Sequence, residues 1–209
     1  MILLMDRRIR TYPAVLGMDS ITLEEMESVK LMNRIDSKYV TTDDKLDLLL
    51  ERAAREGYRA CIIAGEKITP YFSMYYDTPD LEMFRIHRAG HSVRQKIRVR
   101  TYTLTGTTYL EIKRKNNKGR TKKKRILIPV ADLGKVSEAS DFISRESRYT
   151  LDRVSEACTT SFYRITLVNR EKTERITLDT NLSFTNPRTG CEASLPGTVI
   201  IELKQDGRH

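Results

Sequence analysis

The segment K-I-R-V-R-T-Y at residues 96–102 alternates charged and apolar positions. In an extended strand alternate residues share a face, so Lys96, Arg98, Arg100 and Tyr102 project one way while Ile97, Val99 and Thr101 project the other. The same spacing sets Glu111, Lys113 and Lys115 against Leu110 and Ile112, and groups Lys122 with Lys124, Arg175 with Asp179, and Glu202 with Lys204. One such row is an ordinary solvated sheet face. Several rows side by side place like charges across neighbouring strands, which repel unless an anion neutralises them. The chemistry that follows is the binding of phosphate oxygens. Glu111 and Glu202, sharing rows with lysines, add the capacity for a divalent metal or, alternatively, serve as ion-pair partners that orient the lysines. The chain has no Trp, and the basic rows offer few aromatic residues beyond Tyr102, so stacking on nucleobases is disfavoured.

These rows need a sheet to hold them. From Ile68 onward, Y-F-S-M-Y-Y-D-T, S-V-R-Q-K-I-R-V-R-T-Y, T-Y-L-E-I-K-R-K and T-K-K-K-R-I-L-I-P read as successive strands, with turn residues at Thr78-Pro79-Asp80, Thr105-Gly106 and Asn116 to Gly119. R-I-T-L-V-N-R-E, E-R-I-T-L-D-T-N-L-S-F and T-V-I-I-E-L-K add three more towards the end. Residues 19–33 predict a short amphipathic helix capped by Ser20 or Thr22, with apolar Ile21, Leu23, Met26, Val29 and Met32. R-I-D-S-K-Y-V follows as a strand, and a second helix starts near Thr42 and stops at Gly57. Residues 131–163 read as mostly helical. Closely spaced strands predict meandering hairpins and an antiparallel sheet that is closed or nearly so.

The 209 residues suit one domain, 1–209, with about 1–18 as an amino-terminal tail. With 39% hydrophobic and 31% charged residues the chain is globular, and no apolar run is long enough to span a bilayer. M-I-L-L-M followed by Asp6, Arg7 and Arg8 has the wrong order for a secretory leader, which predicts a cytoplasmic protein. Cys61, Cys158 and Cys191 have no metal-ligand or C-x-x-C spacing. A net charge of +9 predicts an anionic partner.

The series R-I-D-S-K-Y (34–39), S-M-Y-Y-D-T (73–78), H-R-A-G (87–90), K-I-R-V-R-T-Y (96–102), L-E-I-K-R-K (110–115), F-Y-R (162–164), R-I-T-L-D-T-N-L (175–182) and V-I-I-E-L-K (199–204) resembles the VTC domain. This is the polyphosphate polymerase domain of the vacuolar transporter chaperone complex, in its stand-alone bacterial form. It belongs to the triphosphate tunnel metalloenzyme, or CYTH-like, superfamily. The resemblance implies an α+β fold, an eight-stranded antiparallel β-tunnel with helices packed outside. It implies phosphate binding by Lys38, Arg98, Arg100 and Lys113, with Lys124 added and Lys122 as its register alternative. Arg164 and Arg175 match later arginines of the family, Arg88 matches one near the H-R-A-G turn with Arg85 in reserve, and Lys204 lies on the row of Glu202. Glu202 corresponds to the metal-binding glutamate, with Glu111 a further candidate. The family continues past the E-L-K strand into a helix with a basic S-K-Y type motif, whereas this sequence stops at His209. Where the superfamily has two glutamates before a lysine, Arg34 and Asp36 precede Lys38, which suits polymer binding more than chelation.

The activity so implied is transfer of the ATP γ-phosphate to a bound polyphosphate chain, assisted by Mn²⁺ or Mg²⁺. Such transfer needs positioning and charge neutralisation rather than a protein nucleophile, so His87, His91 and His209 have no catalytic role in it. Hydrolysis of inorganic triphosphate, non-catalytic polyphosphate binding and nucleic-acid binding are the alternatives.

Overall fold

The computed structural model describes residues 10–27 and 34–206. Arg7, Arg8, Val29, Met32 and His209, for which the sequence carries expectations, lie outside these residues. Contacts divide the described residues into two compact units: those up to Ile68, Arg164–Thr180 and 197–206 form the first, and Thr69–Tyr163 with Asn181–Pro196 the second.

In the first unit, β2 (Arg34–Thr42), β11 (Thr198–Asp206), β9 (Glu174–Thr185, its first half) and the end of β8 (Ser155–Val168) lie in that order. A short parallel pair, β1 (Ser20–Ile21) with β3 (Arg59–Cys61), adds to β8. Helix α3 (Asp43–Arg55) presents Leu46, Leu50 and Ala53 at intervals of four and three, one helical face. This face packs on Ile165, Leu167, Leu178, Val199 and Ile201. Burying each large aliphatic side chain contributes about 1.5–3 kcal/mol. Helix α3 ends where Gly57 takes a positive φ of 76°. Residues 13–17, expected in a tail, form helix α1 (Pro13–Gly17), whose Val15 is fully buried.

The helix expected over 19–33 is not continuous. Ser20 and Ile21 are strand, and α2 (Leu23–Glu27) starts after Thr22. Thr22 and Glu25 bond reciprocally, Thr22 N to Glu25 Oε2 at 2.8 Å and Glu25 N to Thr22 Oγ1 at 3.2 Å, a capping box that excludes Ser20 as the cap.

In the second unit the order is β10 (Glu192–Leu195), the end of β9, the start of β8, β4 (Ile68–Asp77), β5 (Arg94–Tyr102), β6 (Thr107–Lys115) and β7 (Thr121–Ile128). Ile97, Val99, Leu110, Ile112 and Ile128 turn one face to α5 (Ala139–Glu146) and to Leu133 and Val136. Helix α4 (Glu82–Arg88) is built by the Y-D-T motif. Asp77 accepts hydrogen bonds from the N–H groups of Met83 and Phe84, both at 2.9 Å, and Thr78 Oγ1 accepts that of Glu82 at 2.9 Å. The Arg188 guanidinium braces this corner by donating to the carbonyls of Asp77 (3.0 Å), Thr78 (3.2 Å) and Glu156 (2.9 Å).

The fold is α+β and dominated by antiparallel pairing, as expected, with two corrections. The sheet has eleven strands rather than eight, and its ladder is not closed among the described residues, where β2 and β7 have one neighbour each. Residues 131–163 are less helical than expected, because β8 starts at Ser155. Thr159, Thr160, Phe162 and Tyr163 favour a pleated strand and override the helical spacing read around them.

Candidate functional site

Backbone pairing in the second unit aligns three strands of like charge. Arg94 pairs with Lys115, Lys96 with Lys113, Arg98 with Glu111, Arg100 with Tyr109, Lys113 with Lys123, and Glu111 with Arg125. Directly paired residues share a face, so Arg94, Lys96, Arg98, Arg100, Lys113, Lys115, Lys123 and Arg125 stand on one surface with Glu111 as its acid. The opposite face carries Ile97, Val99, Leu110 and Ile112, all at most 1% exposed. Core burial therefore fixes which way the cations point.

Glu111 is the centre of this surface. It is 2% exposed, accepts from Arg98 Nε at 2.7 Å, and pairs with Lys123. Burial pushes its carboxyl up, but Arg98 and Lys123 outweigh that and hold it below the usual carboxylate range. Arg98 Nη1 also donates to the Tyr75 hydroxyl at 3.3 Å, and Arg100 Nε donates to Ser73 Oγ at 3.0 Å. Burial would raise the Tyr75 phenol, yet the charges of Arg98, Arg100 and Lys96 bring it below its ordinary value, as expected of a strongly positive surface.

In the first unit, β11 pairs Glu202 with Lys38 on one side and with Thr177 on the other, and Lys204 with Asp36 and Arg175. Glu202 lies 4.0 Å from Lys38 Nζ and is paired with Lys204. Arg164 makes a two-pronged bond to Asp179, at 2.6 and 2.7 Å. This row is close to balanced: Lys38, Arg164, Arg175 and Lys204 against Asp36, Asp179 and Glu202. Burial raises the Glu202 carboxyl, while Lys204, Lys38 and Arg164 together bring it below its usual range.

Lys38, Arg98, Arg100, Lys113, Arg175, Lys204 and Glu202 thus lie on the predicted rows. Arg88 is the last residue of α4, exposed and outside the strand ladder, and Arg85 pairs with Asp80. Lys124 is a correction. It pairs with Ile112, and Lys122 with Arg114, on the face opposite Glu111, and Lys123 takes the expected place. Three consecutive lysines carry no phase of their own. The signal was in Ile126 and Ile128, whose alternation puts even positions of β7 on the apolar face.

Glu111 is a correction too, because both its oxygens are committed to cations and it is closed to solvent, which fits an anchor for Arg98 and Lys123 rather than a metal ligand. The expectation of few aromatic residues on the basic face also fails. Tyr71 and Tyr75 on β4 pair with Tyr102 and Arg98, and Tyr109 pairs with Arg100. Tyr71, Tyr102, Tyr109 and Phe162 form a chain of ring contacts at 5.3–6.0 Å, with Arg100 over Tyr71 and Arg125 over Tyr109. Apart from Tyr102, these rings come from strands other than β5 and join the row only through pairing.

No group of three or more His, Cys, Asp or Glu able to hold a metal occurs among the described residues. Glu202 fits as a single carboxylate ligand of an ion whose other ligands are phosphate oxygens and water, the usual way Mg²⁺ is bound. Beside it Thr177 Oγ1 is buried with no hydrogen-bond partner among the described residues, a polar group suited to a ligand oxygen.

The folded pattern defines the class as an α+β fold built on a mostly antiparallel sheet. A structure of an adenylate cyclase candidate from Bacillus halodurans aligns with a TM-score of 0.50 at 13% identity, covering 81% of this chain and 80% of that one. A candidate adenylyl cyclase from Hippeastrum, described as having a dominant triphosphatase activity, aligns with a TM-score of 0.50 at 12% identity, covering 82% and 78%. None of the curated proteins matches the sequence significantly. The pattern that defines the VTC domain matches residues 33–209, and the chain belongs to that family.

Proposed function

We propose that the protein is an ATP-dependent polyphosphate polymerase, a phosphotransferase that moves the γ-phosphate of ATP onto the end of an inorganic polyphosphate chain. The observation that carries this reading is the surface of β5–β7, where eight cations surround Glu111. Such a surface loses stability to like-charge repulsion unless a polyanion neutralises it. From Tyr102 to Arg94 it runs nine residues, about 27 Å over the intervening steps of ~3.4 Å, long enough for a phosphate chain.

The surface also has a direction. The rings of Tyr71, Tyr102, Tyr109 and Phe162 lie at one end and offer stacking area for a nucleobase, while Lys96, Lys113, Lys115 and Lys123 lie towards the other. In this reading Arg98, Arg100 and Lys113 hold phosphate oxygens and spread the charge that develops on the transferred group. Glu111 keeps Arg98 and Lys123 in place. A terminal oxygen of the bound chain attacks the γ-phosphorus, and the bond to the β–γ bridging oxygen breaks, its electron pair leaving with ADP. A divalent ion, Mn²⁺ or Mg²⁺, held by Glu202 supplies further neutralisation of phosphate charge. No helix of the described residues is long and apolar enough to cross a membrane, and we place the activity in the cytoplasm, where ATP is abundant.

The Hippeastrum structure favours a second reading, hydrolysis of inorganic triphosphate, in which water replaces the chain end. Purified protein with ATP, Mn²⁺ and short polyphosphate seeds separates the readings when polymer and orthophosphate are followed together. Polymer growth that is lost in Lys113→Ala and Glu202→Ala supports the polymerase. Orthophosphate release from tripolyphosphate without growth makes the protein a hydrolase, and tight binding with neither product makes it a binding module.

A further inference from the structure

The hairpin of β6 and β7 is basic on both faces, and the reading above uses only one of them. Between residues 113 and 131 there are nine cations, Lys113, Arg114, Lys115, Lys118, Arg120, Lys122, Lys123, Lys124 and Arg125, and no acid. Lys113, Lys115, Lys123 and Arg125 belong to the row around Glu111. Arg114, Lys122 and Lys124 point to the other side, paired as Arg114 with Lys122 and Ile112 with Lys124. Among the described residues only Arg114 has an acid there, Glu146 at 3.1 Å. Lys118, Arg120, Lys122 and Lys124 are exposed.

The tip that joins the two faces is ordered. The Asn116 side chain accepts the N–H groups of Lys118 at 3.0 Å and Arg120 at 2.9 Å, the Asn116 N–H donates to the Arg120 carbonyl at 3.0 Å, and Gly119 takes a φ of 75°. Lys118 and Arg120 are therefore held at a fixed turn next to Lys115, where the inner row ends. A folded hairpin that sets Lys113 against Lys123 and Arg114 against Lys122 gives up stability to like-charge repulsion on both faces.

We propose that Lys118, Arg120, Lys122 and Lys124 form a second, exterior binding surface for inorganic polyphosphate, over which a long chain continues from the inner row around the hairpin tip. The proposal rests on the inner row binding phosphate. A phosphate chain is favoured over other polyanions because residues 113–131 contain no Phe, Tyr or Trp. Without them there is no stacking platform for bases and no interfacial anchor for a lipid surface.

The test is titration of the full chain with tripolyphosphate and with long-chain polyphosphate. The wild type is compared with a Lys118→Gln, Arg120→Gln, Lys122→Gln, Lys124→Gln variant and with an inner-row Lys113→Gln, Lys123→Gln variant. The exterior variant is expected to bind long chains about tenfold more weakly or worse, with a salt slope shallower by about three at ~0.7 per lost phosphate contact, and to keep its tripolyphosphate affinity. Its Tm should not fall, since the substitutions remove repulsion, so a loss of affinity is not a loss of fold. Unchanged long-chain affinity overturns the proposal, as does tighter binding of single-stranded RNA or of anionic vesicles than of long-chain polyphosphate. If tripolyphosphate does not bind the wild type, or binds the inner-row variant equally well, it is the inner-row reading that fails.

Discussion

Glu111→Gln removes the negative charge from the centre of the basic surface while keeping the shape of the side chain. Two cations then face each other in a site where Glu111 is 2% exposed, Arg98 22% and Lys123 42%. Breaking a buried pair from one side costs ~3–5 kcal/mol. Solvent at Lys123 screens part of that, which leaves about 2–3 kcal/mol. For a chain of this size each kcal/mol lowers Tm by about 2–4 °C, so the apo variant should melt ~4–12 °C below the wild type. Added tripolyphosphate should raise the Tm of the variant more than that of the wild type, because phosphate oxygens replace the lost carboxylate.

The pH dependence has a definite sign. The folded pKa of Glu111 lies below its ordinary value. Its contribution is therefore complete above the unfolded pKa, near ~4.3, and is lost as pH falls through the folded one. The gap in Tm between the two proteins should hold at neutral pH and close in acid. Differential scanning fluorimetry with and without tripolyphosphate reads all of this. An unchanged Tm, or a smaller rise with phosphate in the variant, refutes the anchoring role.

Lys123→Ala should weaken tripolyphosphate binding about five- to thirtyfold, the loss of ~1–2 kcal/mol from one charge-assisted contact, while Lys124→Ala leaves it within about twofold by calorimetry, since an exposed charge away from the ligand contributes little. Equal effects from both would contradict the register of β7. Glu202→Gln should reduce Mn²⁺- or Mg²⁺-dependent product formation by at least about tenfold with tripolyphosphate binding retained, as seen in turnover and titration side by side. Asp77→Ala should cost about 2–3 kcal/mol, because the N–H groups of Met83 and Phe84 lose their acceptor. It should show as a lower Tm with little change in phosphate affinity per folded molecule, whereas lost affinity at full folding would give Asp77 a part in binding.

Much of the fold was readable along the chain because local periodicity encodes it. Alternation in K-I-R-V-R and L-E-I-K fixes which residues share a face with the core, and the face bearing Arg98, Arg100 and Lys113 follows directly. The helix after Thr42 was legible for the same reason: Leu46, Leu50 and Ala53 recur on one helical face, and Gly57 ends it. Residues 155–163 misled because S-E-A-C carries no strong period, and the strand propensity of Thr159, Thr160, Phe162 and Tyr163 takes hold only where β8 pairs with β4 and β9.

What the sequence by itself determined is the content and orientation of each row, since burial of Ile97, Val99, Leu110 and Ile112 leaves their charged neighbours one direction to point. Tertiary structure decided which rows meet. Register along β4 to β7 chose Lys123 over Lys124, brought Tyr71 and Tyr109 beside Arg100, and closed Glu111 between Arg98 and Lys123. Residues tens of positions apart become neighbours only through the hydrogen-bond ladder, and a shift of one residue in that ladder would turn every side chain to the other face.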